Sequence, residues 1–336
     1  MYEARTTGSS ISNLSLVDDL SSVETWTNQT IIITHISSMP KVPSPSFSVF
    51  PQYLLPKRAM TALAGQIANA NGGRITTFII RRFIEHYDVN MEEAINPDIH
   101  SYPTFNDFFT RALQAEKRPI ADADYICPAD GIVSQRGLIS GDQIFQAKGH
   151  NYSTGALVGG DKELAANFYE GNFATVYLSP KDYHRVHMPY KGRLTRMVHV
   201  PGSLFSVNPL TVRGVPGLFA RNERVISVFE SDEGPFVMVL VGATIVGSIS
   251  TVWHGVVNPP RSGEVRQWQY NSDSQNVVLE KGEEMGRFQL GSTVIMLFPK
   301  NRLIYNPLWQ PGRAVRFGEM MAAKIALENQ SARKEQ

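Results

Sequence analysis

The sequence predicts an α+β fold, with helices gathered toward the N-terminus and a mostly antiparallel β body after them. Three observations carry this. Apolar residues recur at helical spacing between about residues 57 and 115, and no long helical stretch follows until about residue 317. Beyond Pro119 the chain turns to short β-branched or aromatic runs separated by Gly, Pro, Asn and Asp. No strand–helix alternation of the kind that builds parallel sheets appears in between. The 336 residues suffice for one large domain or two ordinary ones. With 42% hydrophobic residues, 19% charged and a formal net charge of +1, the composition is that of a globular protein and makes no electrostatic case for nucleic acid.

Residues 1–38 are rich in Ser and Thr, hold one basic residue, Arg5, and show no period. Ile31, Ile32 and Ile33 are too short a run for a secretory signal. Residues 1–45 are therefore expected to be a disordered tail or a misplaced start, with Met39 as the true first residue. A peptide from residues 1–38 detected in the native organism would overturn that second expectation.

From Lys57 onward Met60, Leu63, Ala64 and Ile67 recur at i, i+3, i+4 and i+7, one face of a helix. Asn71-Gly72-Gly73 breaks it, and Ile75, Phe78, Ile79 and Phe83 begin a second. Thr104 reads as an N-cap, with Asp107 three residues on and Phe105, Phe108 and Phe109 behind it. Two readings of this region, residues 46–115, stand open. It is either a helical subdomain packing on the core or an interfacial anchor. The second is suggested by Phe47, Phe50, Tyr53, Leu54 and Leu55 beside Lys57 and Arg58, with Arg74, Arg81 and Arg82 following. No apolar run approaches the roughly 20 residues that span a bilayer. Strands are expected over 173–178, 224–229, 236–241 and 244–249, and a helix returns around 317–329.

Cys127 is the only cysteine, which excludes an intramolecular disulfide and a cysteine-rich zinc site. Three segments hold residues suited to chemistry: Pro128-Ala129-Asp130-Gly131, Tyr183-His184-Arg185-Val186-His187-Met188-Pro189, and Leu290-Gly291-Ser292-Thr293. Each has a plain alternative. Asp130-Gly131 is a common turn pair, Gly-Ser-Thr arises by chance, and two histidines at i and i+3 could be half of a metal site, though no acidic or cysteine cluster completes it. Together they supply a hydroxyl, a base and a carboxylate, the parts of an activated nucleophile. Here the hydroxyl follows a glycine, which offers little obstruction to a side chain folding back on its own carbonyl. Ser292 could thus attack the preceding peptide bond, turning it to an ester. Elimination would then leave dehydroalanine and, after hydrolysis, a pyruvoyl cap. Spacing alone does not separate this from a serine hydrolase acting on an outside ester.

Read in order, these segments resemble the bacterial phosphatidylserine decarboxylase proenzymes. The likeness includes Tyr177-Leu178-Ser179-Pro180-Lys181-Asp182 leading into the histidine segment, and Leu204-Phe205-Ser206-Val207-Asn208. It extends to Ala147-Lys148-Gly149-His150-Asn151-Tyr152-Ser153 and to Val241-Gly242-Ala243-Thr244-Ile245-Val246-Gly247-Ser248. It runs from about Phe47 to Leu297, and more weakly beyond. The resemblance implies cleavage between Gly291 and Ser292, with Ser292 becoming the pyruvoyl cofactor. Gly291 then ends the larger chain, and residues 292–336 form the smaller one. His187 corresponds to the maturation base, Asp130 to the group orienting it, His184 to a histidine of the later decarboxylation, and Ser206 to a serine near the substrate headgroup. No metal is implied.

The chemistry explains the cofactor. Decarboxylating an amino acid leaves electrons on the α-carbon that no ordinary side chain accepts. A pyruvoyl ketone condenses with the substrate amine to an imine and takes them up. The implied substrate is phosphatidylserine in the membrane. The implied location is peripheral, on the cytoplasmic face of the inner membrane, as a dimer of αβ heterodimers made from the chain's own fragments. A lipid substrate favours the anchor reading, so residues 46–115 are expected to be a membrane-associating helical region. The catalytic body is expected over 116–336. The rival readings are a serine hydrolase using Asp130, His187 and Ser292, and a non-catalytic lipid-binding β module in which Ser292 remains serine.

Overall fold

The computed structural model describes Gln52 and residues 56–147, 149–244, 248–258, 263–271, 276–289 and 292–325. The expected tail over 1–45 and the aromatic run over 47–55, Gln52 apart, lie outside the described residues. The expected helices form. α1 (Lys57–Asn69) ends ahead of the Asn71-Gly72-Gly73 break and α2 (Arg74–Tyr87) starts after it. α3 (Phe105–Phe109) opens on a reciprocal cap: the Thr104 hydroxyl accepts the Asp107 amide, and the Asp107 carboxylate accepts the Thr104 amide.

The two faces of this helical region have opposite fates. Ile80, Phe83 and Ile84 of α2 close on Ala68, Phe105, Phe108 and Phe109 in a small core of their own. Leu63, Ile67, Ile75 and Phe78 instead remain between 52% and 69% exposed. The stripe expected on α1 is therefore real but faces outward, an apolar surface of the kind that marks an interaction site.

The body contains eighteen strands among the described residues, and every ladder is antiparallel. The largest sheet has nine. They are β2 (Gly131–Leu138), β5 (Asn172–Leu178), β7 (Gly192–Val200), β8 (Arg224–Glu230), β9 (Phe236–Val241), β12 (Arg266–Gln269), β13 (Val278–Leu279), β15 (Ser292–Phe298) and β17 (Ala314–Val315). Their order is β12-β7-β8-β9-β15-β5-β2-β17, with β13 also beside β7. A four-stranded sheet takes β6 (Arg185–His187), β10 (Ser248–Thr251), β11 (Gly255–Asn258) and β14 (Glu284–Gln289) in the order β11-β10-β14-β6. β1 (Tyr125–Ile126), β16 (Leu303–Tyr305) and β18 (Met320–Lys324) form a third sheet, and β3 (Gln143–Ala147) pairs with β4 (His150–Ser153).

One expected element is corrected. Over its described part the C-terminal segment is not helical: Met320–Lys324 is β18, hydrogen-bonded between β1 and β16. Its Met-Met-Ala-Ala-Lys sequence favours helix, but two open strand edges and burial of Met321 and Ala322 outweigh that local preference. Of the strand expected over 244–249, Ser248 and Ile249 belong to β10, and 245–247 lie outside the described residues.

β9 and β15 are buried along their whole length, because the large sheet is covered on both faces. Alternation sorts their side chains into two cores. Met238, Leu240, Val294 and Met296 face one, together with Val186, Met285 and Phe288 of the smaller sheet. Val237, Val239, Val241, Ile295 and Leu297 face the other.

The connection of the two sheets positions the site. β5 and β15 are neighbours in the large sheet, while β6 and β14, which follow β5 and precede β15 along the chain, are neighbours in the small one. The backbone thus passes between sheets at one seam, through residues 179–184 after β5, and β14 ends in the small sheet where β15 begins in the large one. Gly131 lies beside this seam because a Cβ there would stand 2.3 Å from the Tyr177 carbonyl oxygen. Only glycine lets β2 approach β5 so closely at that point.

Candidate active site

Ser292 is the first residue of β15, opposite Leu178. It shares side-chain parity with Val294 and Met296, so it faces the core where the two sheets meet. It is 1% exposed, and its Oγ has no hydrogen-bond partner among the described residues. An unpaired buried hydroxyl costs about 1–3 kcal/mol, so stability does not explain this serine. Leu290 and Gly291 lie outside the described residues.

His184 and His187 are separated by the structure. An odd spacing along extended backbone sends the rings to opposite sides, an arrangement unlike a chelating pair. His184 lies against Phe109, ring centroids 4.0 Å apart, and is fully buried. Its carbonyl accepts the Phe288 amide, which places it level with the end of β14. Its Nδ1 donates to the Asp182 carbonyl at 2.8 Å, so Nε2 carries the lone pair, and that nitrogen has no partner. Burial pushes its pKa down to about 3. The ring is therefore neutral, with the Nε2 lone pair free of a hydrogen-bond partner among the described residues.

His187 stacks on Phe317 at 3.7 Å. Its Nδ1 donates to the Gly282 carbonyl at 2.9 Å, and its Nε2 accepts from the Tyr183 hydroxyl at 3.2 Å. Burial lowers its pKa below the usual histidine range. It too is the tautomer with the lone pair on Nε2.

Asp130 does not hydrogen-bond to either histidine. Arg118 Nε reaches both of its carboxylate oxygens, at 2.9 and 3.0 Å, and the Phe317 amide donates to Oδ1 at 2.8 Å. Those bonds occupy the lone pairs that a direct contact with imidazole would need. The link to His187 runs instead through Phe317, whose backbone binds Asp130 and whose ring supports His187. Arg118 also holds Glu93 at 2.7 Å.

Ser206 stands apart from this group. Its amide donates to Gln52 Oε1 at 3.0 Å, and its hydroxyl accepts the Asn208 amide at 3.4 Å. Sequence reasoning quoted Tyr183 only as part of a motif and missed Arg118, Phe109 and Phe317. Arg118 and Phe317 belong to no recognisable motif, and their roles come from packing alone.

Two cavities flank the 179–184 crossing. A groove of about 930 Å³ is lined by Ile67, Ile79, Phe83, Phe105, Phe109 and Pro180. One residue further, Lys181 and Asp182 line a polar cavity of about 280 Å³ with Arg111, Arg118 and Asp130. A cofactor made from Ser292 requires a hydroxyl free of competing hydrogen bonds in a place shielded from water, and Ser292 meets both requirements.

The family model for phosphatidylserine decarboxylase matches residues 105–323, and a second model, described as PSD, matches residues 47–88. The chain belongs to the phosphatidylserine decarboxylase family. Among curated relatives, a phosphatidylserine decarboxylase proenzyme of Nitrosospira multiformis is 70% identical over 282 residues, covering 83% of this chain and 97% of the relative. Those of Dechloromonas aromatica and a Polaromonas species are 65% and 69% identical over 280 and 277 residues. They cover 83% and 82% of this chain and 99% and 98% of the relatives. The family match runs to residue 323, within β18, in line with the weaker resemblance read beyond Leu297. Membership favours a decarboxylase over the hydrolase and carrier readings.

The buried neutral His184 generates a pH prediction. Its folded pKa lies below the unfolded value near 6.5, so its contribution to stability is present above about pH 6.5 and is lost as pH falls toward its folded value of about 3. Uncut Ser292→Ala protein is expected to lose up to about 1.4 kcal/mol per pH unit from this residue across that window. Adding His184→Gln should flatten the slope by that amount in denaturant melts. An unchanged slope would remove His184 from the linkage.

Proposed function

We propose that this chain cuts itself between Gly291 and Ser292, converts Ser292 to a pyruvoyl group, and decarboxylates phosphatidylserine to phosphatidylethanolamine at a membrane surface. The observation that carries this reading is the buried, unpartnered Ser292 hydroxyl at the seam of the two sheets, in a chain of this family. His187 is the base: the Tyr183 hydroxyl, which donates to His187 Nε2, passes its proton to that nitrogen and takes the one from the Ser292 hydroxyl, while Gly282 and Phe317 hold the ring and Asp130 fixes Phe317. Ser292 Oγ bonds to the Gly291 carbonyl carbon, the C–N bond breaks, and the freed nitrogen gains the proton, leaving an ester. Loss of the Ser292 α-proton then expels the Gly291 carboxylate from Cβ. Water replaces the resulting enamine nitrogen, which leaves as ammonia.

The pyruvoyl ketone supplies the electron sink for CO2 loss. His184 Nε2 bears no hydrogen in its observed tautomer, so it cannot donate to the substrate carboxylate. Its role is to take a proton from the substrate ammonium as the imine forms and to deliver it to the α-carbon once CO2 has left. After cleavage residues 292–336 stay attached, because β15 is buried and paired on both edges, by β5 and β9. That supports an αβ heterodimer, and the family resemblance supports its pairing into a dimer of heterodimers. The exposed Leu63, Ile67, Ile75 and Phe78 suit a peripheral seat on the cytoplasmic face of the inner membrane. The adjoining apolar groove suits acyl chains.

Intact mass under denaturing conditions should show a fragment of residues 292–336, roughly 5 kDa of the 37.4 kDa chain, lighter than its serine form by one ammonia. Ser292→Ala should stay whole. His187→Ala should slow cutting by about 10²–10⁴-fold, whereas His184→Ala should cut normally and lose CO2 release by a similar factor. An uncut wild-type chain that hydrolyses lipid esters would hand the site to the hydrolase reading.

The membrane seat has its own test. Replacing Leu63, Ile67 and Phe78 together by Gln should leave maturation intact and shift the protein out of the liposome fraction on flotation. Undiminished flotation would place the anchor elsewhere.

A further inference from the structure

Three arginines are buried among the described residues, and one differs from the others. Arg118 uses all three guanidinium nitrogens on Asp130, Glu93 and the Lys117 carbonyl. Arg224 uses all three on the carbonyls of Leu157, Asn222 and Ala156. Arg111 is equally enclosed, at 5% exposure, yet makes a single long hydrogen bond, from Nη2 to the Lys181 carbonyl at 3.4 Å. Its Nε has no partner among the described residues. Asp130 and Glu93, whose charges reach it, are both held by Arg118 instead. The Phe108 ring lies 5.3 Å from its guanidinium carbon. A buried cation left this poorly paired is a net cost to the fold, which points to an anion that binds there.

The surroundings locate that anion. Phe109, beside Phe108, carries the ring that packs on His184, and the Thr110 carbonyl is tied to Arg185 of β6 at 2.8 Å. Lys181 lies three residues before His184, and Arg111 shares the polar cavity with Lys181 and Asp182. Arg111 therefore stands next to the proposed decarboxylation histidine, on the polar side of the 179–184 crossing.

We propose that Arg111 anchors the substrate by taking the phosphodiester of the lipid headgroup while the serine moiety reaches His184. This rests on the decarboxylase reading above. The phosphate, rather than the carboxylate, follows from the chemistry. The carboxylate loses its charge as CO2 leaves, so a guanidinium bound to it would hold the ground state more tightly than the transition state. The phosphodiester keeps its charge throughout and sits only an oxygen and a methylene from the α-carbon. The guanidinium's remaining N–H groups match two phosphate oxygens.

The test compares matured wild type with Arg111→Gln and Arg111→Lys on phosphatidylserine, using two soluble headgroups as competitors. Glycerophosphoserine carries phosphate and carboxylate; glycerophosphoethanolamine carries phosphate alone. Arg111→Gln is expected to cut normally, to raise KM by roughly 10- to 100-fold with kcat little changed, and to weaken both competitors to the same degree. Arg111→Lys should fall between. Weakening of glycerophosphoserine alone would reassign Arg111 to the carboxylate and overturn the proposal. So would unchanged KM and inhibition, or a wild type that neither headgroup inhibits. If neither variant folds and matures, Arg111 serves the structure and the proposal fails. A wild type that stays uncut or releases no CO2 would instead defeat the decarboxylase reading itself.

Discussion

β15 is hydrogen-bonded along both edges, to β5 and β9, and the geometry of the site is referred to that strand. Its first residue is Ser292, and the register that sets Ser292 opposite Leu178 also sets Thr293 opposite Tyr177 and Val241. A slip of one residue would turn Ser292 from the core between the sheets to the opposite face. Burial of all seven residues prevents that slip, because it would misplace Val294, Met296 and Phe298 at once. The same strand holds the smaller fragment after cleavage, so one constraint aims the nucleophile and retains its product.

The second constraint is the crossing between sheets. Strands that are neighbours on one side of the seam remain neighbours on the other, which brings residues 179–184 alongside the end of β14 and the start of β15. Such a junction interrupts regular ladders. It is a place where side-chain groups can be left without partners, as the Ser292 hydroxyl and His184 Nε2 are. Each unpaired group is unfavourable for folding, and the cores on both faces of the large sheet offset that cost.

Charge is arranged with equal economy. Arg118 saturates Asp130 and Glu93, so Asp130 acts through Phe317 rather than by touching imidazole. A buried ion pair of this kind adds little net stability, but it fixes orientation firmly. Arg111, seven residues earlier, stays underused, and the contrast between the two distinguishes a structural cation from one kept for a ligand.

Much of the architecture was legible in local pattern. The break at Asn71-Gly72-Gly73, the Thr104 cap and the strands at 173–178, 224–229 and 236–241 all follow from turn chemistry, capping and β-branched runs. The sequence also set Ser292 behind a glycine and supplied Asp130, His184 and His187, since those depend on residue identity. Tertiary structure alone decided the rest. Only packing turned the Leu63 and Ile67 stripe outward, made Met320–Lys324 a strand, and sent the two histidines to opposite sides. Likewise, only the meeting of distant segments gave Asp130 to Arg118 and left Arg111 without a carboxylate. The physical reason is range: capping, turns and side-chain period act within a few residues, whereas burial, strand pairing and charge partnership are set by neighbours far away in the chain.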